Sequence, residues 1–246
     1  MKLVKALSIL FLLVSCGSDD TPEPIESNIL SEVIEGSAFE VGAVIACAAS
    51  DVNTVSQVNV YFYPENNATN FKLYETVSVD VNPNDFSNYT LVDIIDTSFF
   101  NGFLRQYSRV IDTEKWLIVT YNLGEDIKIS NPIRSKQFSK ASVFNQTITI
   151  NQNTSTMPLF SWENDLVGDN AIYFQIVSDI NDTVLSATYT FESNFQYYNT
   201  SNVVLNVTEG IPPDFMVNEA YNFTLMDVSE DNWVNVLTLN ESFIVE

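Results

Sequence analysis

The amino-acid sequence predicts an all-β protein with two tandem antiparallel β-sandwiches. Short runs rich in aromatic and β-branched residues alternate apolar and polar side chains, and Asn, Asp, Gly and Pro separate them. These turn residues recur about every 8–12 positions, which is the spacing of a β-sandwich. No stretch of the sequence keeps apolar residues at helical spacing over three turns.

The first fifteen residues predict a signal peptide. Lys2 and Lys5 precede an apolar run over 6–14, and a membrane-spanning helix would need about 20 apolar residues. The run ends in Leu13-Val14-Ser15-Cys16-Gly17, which resembles the lipobox of bacterial lipoproteins. The resemblance implies cleavage before Cys16 and attachment of a diacylglycerol and an acyl chain such as palmitate to that residue. The alternative is an ordinary signal peptide in which the cysteine is incidental.

The residues that follow the cysteine indicate where the protein is located in the cell. Ser18, Asp19 and Asp20 resemble the export signal of Bacteroidetes surface lipoproteins, which implies a protein anchored in the outer membrane and exposed on the cell surface. Residues 16–36 are acidic, polar and contain proline. This composition predicts a flexible tether between the lipid and the folded part.

Composition excludes several classes of function. A formal net charge of −22 repels phosphate backbones, so nucleic acid is not expected as a partner. The chain contains no histidine, which removes Ser-His-Asp and Cys-His catalysis and histidine-ligated zinc. Only seven glycines are present, and none forms a phosphate-binding loop. We therefore expect a non-enzymatic protein without a cofactor or a metal.

Strand patterning is clear in two parts of the chain. A pause near 134–142, which holds Arg134, Lys136 and Lys140, predicts an exposed linker between two units at 37–140 and 141–246. The alternating runs on either side of this pause lie at 58–63, 115–121, 147–150 and 172–177.

Several motifs resemble fibronectin type III domains. The run Pro158-Leu159-Phe160-Ser161-Trp162 is similar to the family's second strand, and Tyr221-Asn222-Phe223-Thr224-Leu225 is similar to its penultimate strand. The chain ends in Ser242-Phe243-Ile244-Val245, similar to the family's last strand. In the first unit Trp116 stands where the family has tyrosine, and small residues around Cys47 replace the strand tryptophan. The resemblance implies fibronectin type III-like or immunoglobulin-like sandwiches.

Exposed aromatic rings are the first candidates for a ligand site. Trp233 lies in the polar turn Asp231-Asn232-Trp233, so of all the rings it is the one predicted to be exposed, and it would stack on a sugar if the chain binds one. Two clusters offer other rings, although packing in the core is the favoured explanation for them: Phe99, Phe100 and Phe103, and Phe195, Tyr197 and Tyr198.

Three further residue groups have a chemical interpretation beside a structural one. Asp182-Thr183-Val184 resembles the Bacteroidetes O-glycosylation motif, which implies a glycan on Thr183 at a hairpin turn. The acidic groups at 163–169 and 179–182 contain calcium-type ligands, but neither matches an EF-hand loop. Cys47 lies in an apolar run without a cationic neighbour, so it is expected to be a buried and unreactive thiol.

These observations favour a lipid-anchored extracellular binding, scaffold or adhesion module. Its partners would be the outer membrane, through the lipid, and an extracellular glycan or protein. The alternative function is a glycan-binding accessory lipoprotein of a polysaccharide-uptake system.

Overall fold

The computed structural model describes residues 27–154 and 156–246. Signal peptide 1–15, lipidation residue Cys16 and export residues Ser18, Asp19 and Asp20 lie outside the described residues. The described chain is almost entirely β-strand and turn, which confirms the predicted all-β class. Within that part of the chain, no helix has the length and apolar character needed to cross a membrane.

The first sandwich consists of two sheets. Sheet I has the strand order β1-β9-β8-β4-β5 with β10 beside β8, and sheet II has the order β2-β3-β7-β6. This arrangement is that of an immunoglobulin-like sandwich. The strands are β1 (Phe39–Val44), β2 (Ala46–Ser50), β3 (Gln57–Phe62), β4 (Thr69–Glu75), β5 (Thr90–Val92), β6 (Thr97–Phe99), β7 (Leu104–Val110), β8 (Trp116–Leu123), β9 (Asp126–Ser130) and β10 (Ile133–Arg134).

The second sandwich is less symmetrical. Sheet III is a six-stranded sheet of order β11-β19-β18-β14-β15-β17, and sheet IV is a three-stranded sheet of order β12-β13-β16. After β15 the chain enters sheet IV as β16 and returns to sheet III as β17. The strands are β11 (Val143–Phe144), β12 (Thr149–Asn151), β13 (Leu159–Ser161), β14 (Ile172–Asp179), β15 (Val184–Thr190), β16 (Asn194–Gln196), β17 (Val203–Asn206), β18 (Ala220–Val228) and β19 (Val234–Ile244).

The core of the second sandwich is aromatic. Phe160 on β13 stacks on Phe223 on β18, with ring centroids 4.2 Å apart, and Phe243 packs edge-on against Phe160 at 5.2 Å. All three rings are buried between sheets III and IV. The run 158–162 is therefore a core strand, as its resemblance to the fibronectin second strand implies.

The two sandwiches pack face to face, with the outer side of sheet II against the outer side of sheet III. Tyr61 and Leu104 come from sheet II, and Phe174, Ile176 and Met226 come from sheet III, in one cluster of buried apolar side chains. This cluster is a separate core between the two sandwiches. It exists because side chains alternate along a strand: Tyr61 on β3 points toward sheet III, and its neighbours Val60 and Phe62 point into the first sandwich. The four sheets therefore form one continuous stack.

The turn between β18 and β19 enters the first sandwich. Trp233 is fully buried among Val60, Phe62 and Leu117 of the first core. Its indole Nε1 donates a hydrogen bond to the Lys140 carbonyl oxygen at 2.8 Å. The first sandwich is therefore completed by a residue of the second.

The segment that joins the sandwiches is not an exposed linker, and this expectation from the sequence is wrong. Ser135 and Gln137 are buried, and Lys136 is 8% exposed. The Lys136 ammonium reaches Asp231 at 2.8 Å and Asp169 at 3.1 Å. Two carboxylates of the second sandwich thus bind a segment whose polar composition predicts an exposed linker.

A short helix, α1 (Leu30–Val33), covers the outer face of sheet I. Leu30 and Ile34 are buried against Tyr74, Tyr89 and other side chains of this face. The Leu30 amide also donates to the Tyr89 carbonyl oxygen at 3.0 Å. The expectation of a flexible tether up to residue 36 is therefore wrong for residues 30–34, which belong to the fold.

Candidate functional site

A cleft of about 320 Å³ opens along the line where the two sandwiches meet. Cys47 on β2 provides one wall, while Tyr189 on β15 and Leu205 on β17 provide the other. The cleft exists because the β1–β2 junction of the first sandwich leaves sheet I there and crosses to sheet II beside the second sandwich. Its volume falls within the range of small-molecule sites.

The thiol of Cys47 is held in its neutral form. Burial raises the pKa of the Cys47 thiol to about 12, and its Sγ lies 3.9 Å from Met226 Sδ. A thiolate is the reactive form of cysteine. Cys47 is thus an apolar wall residue, in agreement with the unreactive thiol predicted from the sequence.

The tyrosines beside the cleft are neutral as well. Burial raises the pKa of Tyr189 well above its ordinary value, and the ring stacks on Phe174 with centroids 4.5 Å apart. Burial raises the pKa of Tyr61 and Tyr63 too, and the Glu209 carboxylate adds to the effect at Tyr63. Neither lysine nor arginine is among the described residues that line the cleft, so its wall does not attract anionic ligands.

Two asparagines line the cleft beside its apolar walls. Asn232 donates through Nδ2 to the Pro132 carbonyl oxygen at 3.0 Å, which fixes the orientation of its amide. The Asn131 amide lies against Gly42, where a Cβ atom would come within 3.3 Å of Asn131 Oδ1. The cleft therefore combines apolar walls, an aromatic ring and side-chain amides, which suits a neutral molecule with an apolar face.

Trp233 does not form the predicted sugar platform. The ring is fully buried in the first sandwich, so the expectation that it is exposed is wrong, and no face remains on which a sugar can stack. The polar neighbours Asp231 and Asn232 are used in packing: the Ala48 amide donates to the Asn232 carbonyl oxygen at 3.0 Å, and Asp231 binds Lys136.

The aromatic clusters are mainly core. Phe100, Phe195 and Tyr197 are buried. Tyr198 is partly exposed, and its hydroxyl donates to Asp214 Oδ1 at 2.5 Å. Phe99 and Phe103 pack against the cluster between sheets II and III.

Thr183 lies in the predicted hairpin turn between β14 and β15. Its side chain is exposed, and its backbone amide donates to Asp179 Oδ1 at 2.8 Å. Asp179 Oδ1 also accepts from the Asn181 amide at 2.8 Å. These hydrogen bonds show that the Asp179 carboxylate stabilises the hairpin turn.

The acidic loop 163–170 is engaged with lysine. Asp169 contacts Lys136, and the Lys140 ammonium donates to the Gly168 carbonyl oxygen at 2.6 Å. Hydrogen bonding from Lys136 lowers the pKa of Asp169, although burial opposes this in part. In residues 27–154 and 156–246, no group of three or more Cys, Asp and Glu side chains is placed to hold a metal ion.

Sequence reasoning missed most of the cleft. Ile45, Tyr189 and Leu205 belong to ordinary strand patterns, and nothing local distinguishes a side chain that faces the other sandwich from one that faces solvent. The alternation in 184–190 does identify two faces of β15. Which face meets another sheet is decided by tertiary packing.

Comparisons with known proteins add no family. No protein-family model matches the chain, and no curated protein matches it. A crystal structure of chicken CNTN1 FN1–FN3 domains has a TM-score of 0.30 and 11% sequence identity, over 85% of this chain and 68% of that one. The fold assignment rests on the strands and sheets described above.

Proposed function

We propose that the chain is a non-enzymatic, lipid-anchored module of the outer cell surface that binds or holds a molecule outside the cell. The cleft between the sandwiches carries the proposal. Its walls are apolar and its ionisable groups, Cys47 and Tyr189, are held neutral by burial. Such a wall suits recognition of a neutral ligand and lacks a charged group for acid–base chemistry.

The proposed location rests on the sequence before residue 27. The lipobox-like run that ends at Cys16 supports a lipid anchor, and Asp19 with Asp20 supports export to the surface. Cys16→Ala should give a product without acyl chains, which mass spectrometry of the N-terminal peptide detects. An unlipidated wild-type peptide would rule out the anchor.

Surface exposure has its own test. Replacement of Asp19 and Asp20 by alanine should reduce cleavage by protease added to intact cells, while the amount of membrane-bound protein stays constant. Unchanged cleavage would mean that these residues do not direct export.

The cleft can be tested by filling it. Leu205 lines the cleft and is 46% exposed, so Leu205→Trp should fill the cleft and reduce binding of the neutral apolar dye Nile red at least tenfold. Leu239 is 40% exposed and lies outside the residues that line the cleft, so Leu239→Trp is the matched control and should bind the dye like the wild type. Equal binding by both variants, or no binding by the wild type, would contradict a ligand site in the cleft.

The glycan-binding alternative has one supporting observation. Tyr189 lines the same cleft as Asn131 and Asn232, and a ring with side-chain amides is a common way to hold a neutral sugar. A glycan array separates the two functions. Wild-type binding to a neutral oligosaccharide that Leu205→Trp abolishes and Leu239→Trp retains would favour a role in polysaccharide uptake.

Thr183 remains a proposed modification site. Its exposure in a hairpin turn permits attachment of a glycan. Endoproteinase Glu-C cleaves after Glu163 and Glu192 and gives the peptide 164–192, which contains Thr183. The mass and fragmentation of this peptide, from protein purified from the native host, test the proposal. A single unmodified mass would refute it.

A further inference from the structure

Two buried side chains under loop 163–170 each have one oxygen atom without a hydrogen-bond partner among the described residues. Asp227 on β18 and Asn235 on β19 are each 1% exposed. Asp227 Oδ1 accepts from Asn170 Nδ2 at 2.9 Å and from Asn235 Nδ2 at 3.5 Å. Within the described residues, Asp227 Oδ2 and Asn235 Oδ1 have no hydrogen-bond partner.

Both orphaned atoms are acceptors when Asp227 is ionised. A buried acceptor without a donor costs about 1–3 kcal/mol, and more when it carries charge. A proton on Asp227 Oδ2 would remove both deficits at once. The carboxylic acid and the Asn235 amide would then form a cyclic pair, in which each group donates one hydrogen bond and accepts one.

The surrounding charges do not compensate an ionised Asp227 fully. Burial raises the pKa of Asp227, hydrogen bonds from Asn170 and Asn235 lower it in part, and the Asp165 carboxylate raises it further. Lys140 favours the ionised form, but its ammonium is bound at the Gly168 carbonyl oxygen. Other ionisable groups of the neighbouring elements are Tyr173 on β14, Glu163 and Asp169 on the loop, Lys136 on the joining segment and Asp231 in the β18–β19 turn.

Asn235 connects this pair to the segment that joins the sandwiches. Its Nδ2 lies 3.4 Å from the Gly168 carbonyl oxygen and 3.3 Å from that of Asp169. The same Gly168 oxygen accepts from Lys140, and the Asp169 carboxylate binds Lys136. The orientation of one buried amide thus supports the loop that holds segment 135–142.

We infer that Asp227 keeps its carboxyl proton in the folded protein at pH values where an unperturbed aspartate is ionised, that it donates from Oδ2 to Asn235 Oδ1, and that this proton holds segment 135–142 in place as a latch. Loss of the proton leaves two acceptors facing each other. Asn235 then turns and loop 163–170 loosens. Lys140 loses its contact with the Gly168 carbonyl oxygen, and Lys136 loses Asp169 and keeps only Asp231.

The direction of the pH effect follows from linkage. The folded state raises the pKa of Asp227 above its unfolded value of about 3.9, so the folded state binds the proton more tightly. Stability from this group is complete below the unfolded pKa and is lost as the pH rises through the folded pKa.

Asp227→Asn provides an isosteric test, because an amide at this position donates to Asn235 Oδ1 at every pH. As the pH rises above the unfolded pKa of about 3.9, the melting temperature of the wild type should fall relative to that of Asp227→Asn, until the folded pKa is passed. Asp80 is an exposed carboxyl group, so Asp80→Asn changes the net charge equally and should follow the wild type. Parallel curves for the wild type and Asp227→Asn would overturn the inference.

Two further readouts separate the proton from the latch. In a pH titration of the wild type, the carbon-13 carboxyl shift of Asp227, identified by its absence in Asp227→Asn, should change from acid to carboxylate at a higher pH than the reference aspartate pKa of about 3.9. A change at or below that pH would contradict the proposed protonation of Asp227, whether or not the variant folds. Trypsin at about pH 8.5 should cleave after Lys136 and Lys140 several-fold faster in the wild type than in Asp227→Asn, and equal rates would overturn the latch.

Discussion

The two sandwiches differ in how their cores are completed. The core of the second is built from its own residues, with Phe160, Phe223 and Phe243 between sheets III and IV. The core of the first includes Trp233, which belongs to the second. Folding of the first sandwich therefore depends on the second, whereas the aromatic core of the second requires nothing from the first.

The face between sheets II and III makes each sandwich depend on the other for burial of its apolar side chains. Phe174 and Met226 on sheet III are buried only because sheet II lies on them. A separated second sandwich would expose these side chains, and large exposed apolar patches promote association. The chain thus has two sandwiches by topology and a single unit by packing.

Separation of the two sandwiches should have the largest effect on folding and stability. Residues 27–140 alone should not fold cooperatively, because the first core lacks Trp233. Residues 141–246 alone should keep a cooperative thermal transition while binding an apolar dye on the uncovered face. Circular dichroism with dye fluorescence measures both, and a cooperative transition in 27–140 would contradict the unequal dependence.

Truncation of the shared tryptophan comes next. Trp233→Ala should lower the free energy of unfolding by about 3–5 kcal/mol, because it removes a fully buried ring from the first core. Urea unfolding should still show one transition. Phe191→Ala is the control, since Phe191 is 63% exposed, and it should change stability by less than about 0.5 kcal/mol.

The face between the sandwiches should be almost as sensitive. Phe174→Ala removes a ring that stacks on Tyr189, and the expected loss is about 3 kcal/mol in the same urea experiment. A loss below about 1 kcal/mol would mean that the sandwiches separate in solution.

The ion pairs of the joining segment should have the smallest effect. The lowered pKa of Asp169 gives stability that is present above its unfolded pKa of about 3.9 and is lost as the pH falls through the folded value. Asp169→Asn should therefore destabilise the protein by less than about 1 kcal/mol at pH 7, and the difference should disappear as the pH falls below the lowered pKa of Asp169. A difference in melting temperature that persists at the lower pH would assign the effect to something other than charge.

Local sequence signals predicted the strands and failed at contacts between the sandwiches. The turn at Thr183 was predictable because Asp179 binds amides two and four residues ahead of it. Trp233 was not, because its burial depends on residues of the first sandwich that no local pattern connects to it. The same reason applies to Lys136, whose partners Asp169 and Asp231 lie on distant loops.

The α1 cover has a mechanical consequence for a chain that is pulled from its N-terminal side. Tension ahead of residue 27 reaches the fold first through the hydrogen bonds Leu30 N to Tyr89 O and Leu91 N to Asn28 O, at 3.0 and 2.7 Å. The next contacts along the chain are those of Leu30 and Ile34, which pack on the outer face of sheet I. Pulling therefore loads these bonds to β5 and the contacts of α1 before it reaches β1, which begins at Phe39. We expect α1 to detach from sheet I first, while the two inner cores stay paired.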